Sequence, residues 1–74
     1  QGHEGHGNCA LEQAAVLWGL GRIYGKRSEY DRALSCFSDC YAIRKSRLGE
    51  DHEDTMAVKR FLDAIERKRR RNAT

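Results

Sequence analysis

Two cysteines four residues apart, Cys36 and Cys40, are the first candidates for chemistry in this sequence. On a helix that spacing puts both thiols on one face, where they could supply two ligands of a tetrahedral metal site. No Cys or His pair elsewhere is spaced to complete the set, and Cys9 has no predictable place in it. Cysteine is also a good small core residue, and a packing role is expected for both. His52, with Asp51 and Asp54 beside it, has the residue types of a proton-transfer constellation. A helix-linking turn, with the imidazole hydrogen-bonded locally, accounts for the same residues. His3 and His6 could hold a metal loosely, but they sit among glycines in a stretch read as a solvated tail. No Gly-rich phosphate loop, nucleophile elbow or His-Glu metal motif is present. The sequence therefore predicts no enzyme and no cofactor.

Charge is the next feature. The chain carries a net +3, with 34% charged residues. Residues 1–55 hold seven Lys/Arg against nine Asp/Glu, and residues 56–74 hold seven against two, so the balance moves from −2 to +5. The run Arg67-Lys68-Arg69-Arg70-Arg71 could bind phosphates, RNA or an acidic membrane surface, or serve as a localisation tag. It lacks the interleaved aromatics that stack on bases, and a charged end that keeps the last helix soluble is the commoner explanation. No apolar stretch approaches the roughly 20 residues that span a bilayer. No signal-peptide pattern is present. Three cysteines do not make a complete disulfide framework, and a reducing, cytoplasmic setting is expected.

The elements that must position these groups are helices. Proline is absent, and apolar residues recur at helical spacing. Residues 1–8 have no large apolar side chain and are read as a disordered tail or an added remnant. A first helix is predicted over 9–25, capped by Asn8, with Leu17, Leu20 and Tyr24 inward and Val16 and Ile23 widening the stripe. Gly25 should end it in the left-handed conformation, and Ser28 should cap the second. That second helix, over 29–47, buries Tyr30, Ala33, Leu34, Phe37, Cys40, Tyr41 and Ile43. Leu48-Gly49 ends it. The third helix, over 53–70, is capped by Asp51 or Asp54 and shows Val58, Phe61, Leu62 and Ile65 at i, i+3, i+4, i+7. Short connections favour antiparallel neighbours. The domain is thus all-α, spans 9–70, and is followed by a basic tail at 71–74.

The run Leu17-x2-Leu20-Gly21-x2-Tyr24 followed by Ala33-x3-Phe37 resembles the tetratricopeptide repeat. Gly21 and Ala33 are small enough for two helices to approach, with Tyr24 and Phe37 filling the space beside them. Leu17 stands at the usual tryptophan position, with Trp18 next to it, and no proline closes the repeat. The segment from Ile43 through Leu48-Gly49 and Asp51-His52 to Thr55 is similar to the longer repeat of kinesin light chains, with Glu53 where that family usually has proline. A second copy is degenerate: Asp63 and Glu66 replace the small and aromatic residues expected there. The third helix accordingly looks like the solvating end of an array.

The resemblance implies an antiparallel helix-turn-helix unit plus one further helix, acting as a protein-binding scaffold. In that family the face of the first helix bearing Trp18, Arg22 and Lys26 lines a concave groove, with Arg60, Ala64 and Arg67 on the corresponding stripe of the third. An acidic peptide is the expected ligand. Trp18 has two readings of equal standing, a groove anchor or a packing residue against a neighbour. Chaperone-tail binding is not expected, because Gly19 and Arg22 stand where the family's carboxylate-binding asparagines would lie. The runner-up reading is structural: a piece of a longer array, or a homodimer formed through the unpaired faces of the first and third helices. Nucleic-acid binding through the basic run ranks third.

Overall fold

The computed structural model describes the backbone of residues 3–73 and the side chains of residues 10–72. Among these the chain forms three helices and no strand: α1 (His3–Lys26), α2 (Tyr30–Leu48) and α3 (Glu53–Ala73). The all-α class and the number of helices are those expected. Both α1 and α3 pack on α2. Cross-links fix the directions. The Cys40 thiol, late in α2, donates to the Ala14 carbonyl, early in α1, at 3.2 Å. Arg69, late in α3, pairs with Asp31, at the start of α2, at 2.6 Å. Arg44, late in α2, donates to the Asp54 carbonyl at the start of α3, at 3.3 Å. Each neighbouring pair is therefore antiparallel, and α1 runs parallel to α3.

Helix ends differ from the sequence expectation. The α1 backbone starts at His3, so residues 3–8 are helical rather than a loose tail, and Asn8 lies inside the helix instead of capping it. Once a helix is nucleated, each added residue gains a hydrogen bond, and no proline stops propagation through this stretch. Likewise α3 continues through the basic residues to Ala73, beyond the expected end at residue 70. Positions 1, 2 and 74 lie outside the described residues.

The α1–α2 turn uses a different residue from the one expected. Gly25 remains helical, and Ser28 takes the left-handed conformation, with φ 63°. The Glu29 amide donates to the Tyr24 carbonyl at 2.9 Å, and the Ser28 amide to the Gly25 carbonyl at 3.1 Å. These are the paired bonds of a Schellman ending, in which glycine normally takes the left-handed place. Gly25 is small for another reason: a Cβ there would lie 3.2 Å from Ile65 Cδ1 of α3. A left-handed conformation costs an L-residue about 1–2 kcal/mol, so Ser28→Gly should stabilise the chain by a sizeable part of that amount. A chemical-denaturation midpoint that stays put or falls would mean that Ser28 is not held in this conformation. At the second turn, Gly49 has φ 100°, and its amide donates to the Lys45 carbonyl at 3.1 Å.

Where α3 begins, His52 rather than Asp51 or Asp54 supplies the cap. Its Nδ1 accepts the Asp54 amide at 3.0 Å, satisfying one of the donors a helix start leaves open. That bond explains why a histidine stands in this acidic connector without assigning it proton chemistry.

Ala14, Ala33, Phe37, Cys40, Val58 and Ile65 form the buried core, with Leu17, Trp18, Tyr24, Tyr30 and Leu62 packed around it. The molecule measures 51 × 23 × 13 Å, so every helix keeps a side toward solvent. On α1, Leu17 and Tyr24 pack on the core as expected, but Leu20 and the two residues expected to widen the stripe face outward. Val16, Leu20 and Ile23 are 61%, 38% and 52% exposed, and the inward positions are Ala14 and Gly21. Leu20 thus matches the repeat motif in sequence but sits at the outer edge of its helix.

Candidate functional site

The ring of Phe37, fully buried on α2, is the base of the site. It fits because Gly21 of α1 has no side chain: a Cβ there would fall 2.7 Å from Phe37 Cε1. Trp18 and Phe61 complete an aromatic group contributed by all three helices. Trp18 lies 5.5 Å from Phe37 and 4.7 Å from Phe61 between ring centroids, and Phe37 lies 5.5 Å from Phe61. These are edge-to-face and tilted separations, which favour aromatic pairs beyond the area they bury. The Arg44 guanidinium stands 5.3 Å from the Trp18 ring centroid and that of Arg22 stands 6.0 Å from it.

Beside this group runs a groove of about 240 Å³ between α1 and α3. Its accessible apolar surface is mainly Phe61 on the α3 side, with the edge of Ile65, and the fully buried Phe37 ring lies beneath. Gly21, Gly25 and Ala64 keep it open because none has a long side chain. Arg22 and Lys26 border it from α1, and Lys68 borders it from α3. An apolar trough with three cations on its rim, and no carboxylate among the residues lining it, is suited to a chain segment carrying apolar and acidic side chains.

Of the residues expected from the sequence to bind a peptide, Arg22 and Lys26 border this groove, while Trp18 is outside the residues that line it and belongs to the aromatic group beside it. Trp18 is a half-buried ring packed on Phe37 and Phe61. Arg60 does not join them. It lines a separate cleft with Tyr41, Glu50 and Lys59, because α3 turns it toward the far side of α2. Arg67 is exposed and outside the residues that line the groove. Lys68 takes the place expected for Arg67. The basic run hides it, though the series Phe61, Ala64, Lys68 at i, i+3, i+7 puts it on the groove stripe. Arg69 is used structurally, in its pair with Asp31.

Among the described residues, Cys36 and Cys40 are free thiols; the Cys9 side chain lies outside them. Among the described residues no group of three or more His, Cys, Asp and Glu side chains could hold a metal ion. Burial pushes both thiols above their ordinary value; Asp39 adds to this at Cys36, and Arg44 opposes it at Cys40. A raised thiol keeps its proton longer in the folded chain than in the unfolded one. The sign follows: stability is unaffected below the ordinary thiol range and declines as pH rises through and above it. Unfolding midpoints measured from pH 8 upward should fall more steeply for the parent than for Cys40→Ala. Equal slopes would show that the Cys40 thiol is not the group responsible. In the folded chain Cys40 should also alkylate more slowly than Cys36, since its sulfur is buried.

No family model matches the chain. No solved structure matches it. Among curated proteins it is 35% identical over 60 residues to the human clustered mitochondria protein homolog, a match covering 81% of this chain and 5% of that protein. The chain therefore spans about a twentieth of that relative's length. No helix among the described residues is long and apolar enough to cross a membrane.

Proposed function

We propose that this chain is a protein-interaction module of the tetratricopeptide type, without catalytic activity, that takes an acidic segment of a partner into the groove between α1 and α3. The observation that carries the reading is the rim itself: Arg22, Lys26 and Lys68 converge on an apolar floor. The motif from Leu17 to Phe37 supports it, together with the order of the helices, in which α1 and α3 lie parallel on one side of the repeat. Free thiols at Cys36 and Cys40 fit a reducing, cytoplasmic setting. Trp18 stands beside the groove and supports Phe37 and Phe61 rather than acting as a free anchor, since both rings already pack on it. The direct test is to fill the trough without changing its charge. Ala64 is exposed, so Ala64→Met should fold as the parent does and lose binding to acidic, aromatic-containing peptides by about tenfold, equivalent to about 1.4 kcal/mol. Unchanged affinity in a folded variant would remove the groove from consideration.

A structural reading is favoured by one further observation. The exposed stripe of Val16, Leu20 and Ile23 is apolar surface of the kind a neighbouring helix covers, and the chain matches a small part of a much longer relative. On that reading the module is one unit of a longer helical array.

A further inference from the structure

Gly19 lacks a reason within the chain. A Cβ at this position would have nothing within 4 Å, so no packing contact requires glycine. Glycine inside a helix costs about 1 kcal/mol relative to alanine, so the residue weakens α1 without a local return. Its surroundings supply the reason. Gly19 opens a dent of about 250 Å³ bordered by Ile23, with Arg22 and Lys26 on its far edge. It lies on the face of α1 opposite Gly21 and Ala14, on the stripe made by Glu12, Val16 and Ile23 at i, i+4 and i+11. Val16 and Ile23 are the most exposed large apolar residues among those described. Leu20 stands at the edge of the same stripe, 38% exposed. The stripe begins with an acid, Glu12, and ends with a base, Arg27.

We propose that this outer face of α1 is a self-complementary interface through which two copies of the chain pair antiparallel, about a two-fold axis beside Gly19 and Leu20. In that register Val16 meets Ile23 of the second copy, and Leu20 enters the dent at Gly19 of the second copy. Glu12 meets Arg27 of the second copy. Two-fold symmetry makes each contact twice, so one patch supplies both sides of the interface. Charge order selects the orientation. A parallel pairing would set acid against acid and base against base, whereas the antiparallel one neutralises both ends. Arg27 already pairs with Glu29 at 3.2 Å, but that pair is exposed and contributes little, so the guanidinium can be shared. The interface spans about four turns of one helix, roughly 22 Å, which places it among small, reversible interfaces. The α1–α3 groove lies across the ridge of Arg22 and Lys26 from this face, so the pairing does not depend on peptide binding and leaves the groove open.

Sedimentation equilibrium of the 74-residue chain, from the micromolar to the millimolar range, tests this. A monomer–dimer equilibrium is expected. Ile23→Glu should weaken it by about tenfold or more, and Gly19→Leu should do the same by filling the dent. Neither change touches the monomer core, so thermal unfolding of the monomer should be unaltered for Ile23→Glu and shifted upward for Gly19→Leu. Glu12→Arg should weaken the dimer, and Glu12→Arg combined with Arg27→Glu should restore it. Restoration supports the antiparallel register specifically. A chain that stays monomeric throughout overturns the proposal and leaves the stripe to a helix from another source. Dimerisation indifferent to Gly19→Leu and Ile23→Glu overturns it equally.

Discussion

Phe37→Ala should be the most destabilising single change in this chain. Truncating a buried phenylalanine costs about 3–5 kcal/mol, through lost transfer energy and the cavity left behind. A chain of this length has a total stability on the order of 4–11 kcal/mol, so the variant should lose a large share of it, and the whole of it if the parent lies at the low end. The cause is positional: of the three mutually packed rings from α1, α2 and α3, Phe37 is the fully buried one, set against Trp18, Phe61 and Gly21. Phe61→Ala should cost less, because that ring is 39% exposed. The contact with Gly21 makes a sharper test. In the parent, Gly21→Ala should destabilise despite alanine's better helix propensity, since its methyl would fall 2.7 Å from the ring. In a Phe37→Leu background the same change should cost much less or become favourable, by up to about 1 kcal/mol. Chemical denaturation followed by circular dichroism measures the parent, both single variants and the double variant. Additive effects of the two substitutions would mean that the ring does not lie against Gly21.

The same contact shows why parts of the fold are legible in the sequence and parts are not. On α2 and α3, apolar residues occupy one stripe and charges the rest, so Ala33, Phe37, Cys40, Val58 and Ile65 read as buried and are. α1 is apolar around most of its circumference. Two stripes compete there, Leu17-Gly21-Tyr24 and Val16-Leu20-Ile23, and helical periodicity alone does not rank them. What decides is size. The inner stripe has to admit the Phe37 ring, so it carries Ala14 and Gly21, and the larger Val16 and Ile23 are left outside. The first turn departs from expectation for a related reason. Gly25 is the natural left-handed residue, but it is needed within the helix to let Ile65 approach, and Ser28 bears the strained conformation instead.

Half of the site is legible in the same way. The i, i+4 spacing of Trp18, Arg22 and Lys26 is enough to put three of its side chains on one face of α1. The α3 half is offset by one residue from the sequence expectation, because Arg67 and Lys68 are chemically alike in a basic run and only the rotation of the helix separates them. Arg60 differs from its expected place through the same rotation. Its neighbour Phe61 points toward the groove, while Arg60 lies about 100° around the helix and lines the cleft beside Tyr41 and Lys59.

Reversing the rim charges should change binding more than any other surface substitution. Arg22→Glu and Lys68→Glu lie on opposite walls of the groove, one on α1 and one on α3, and both residues are exposed, so the fold should tolerate them. Each reversal replaces an attraction to an acidic ligand by a repulsion. About tenfold loss is expected for each, and about a hundredfold for the pair, corresponding to roughly 2.7 kcal/mol. A peptide with its acids replaced by lysine should show the opposite ranking, binding the reversed groove better than the parent. Arg67→Gln with Arg70→Gln removes two positive charges from α3 outside the groove lining. It should leave the affinity at physiological salt within a few-fold and mainly flatten its dependence on ionic strength, because solvent-exposed charges beyond about 8 Å are screened there. The comparison separates a shaped site from a diffuse field. Fluorescence anisotropy with a labelled acidic peptide, titrated at several salt concentrations, reads all the variants on one scale. If the Arg67/Arg70 pair abolishes binding while the Arg22/Lys68 pair leaves it intact, the groove is not the site and the basic end of α3 is.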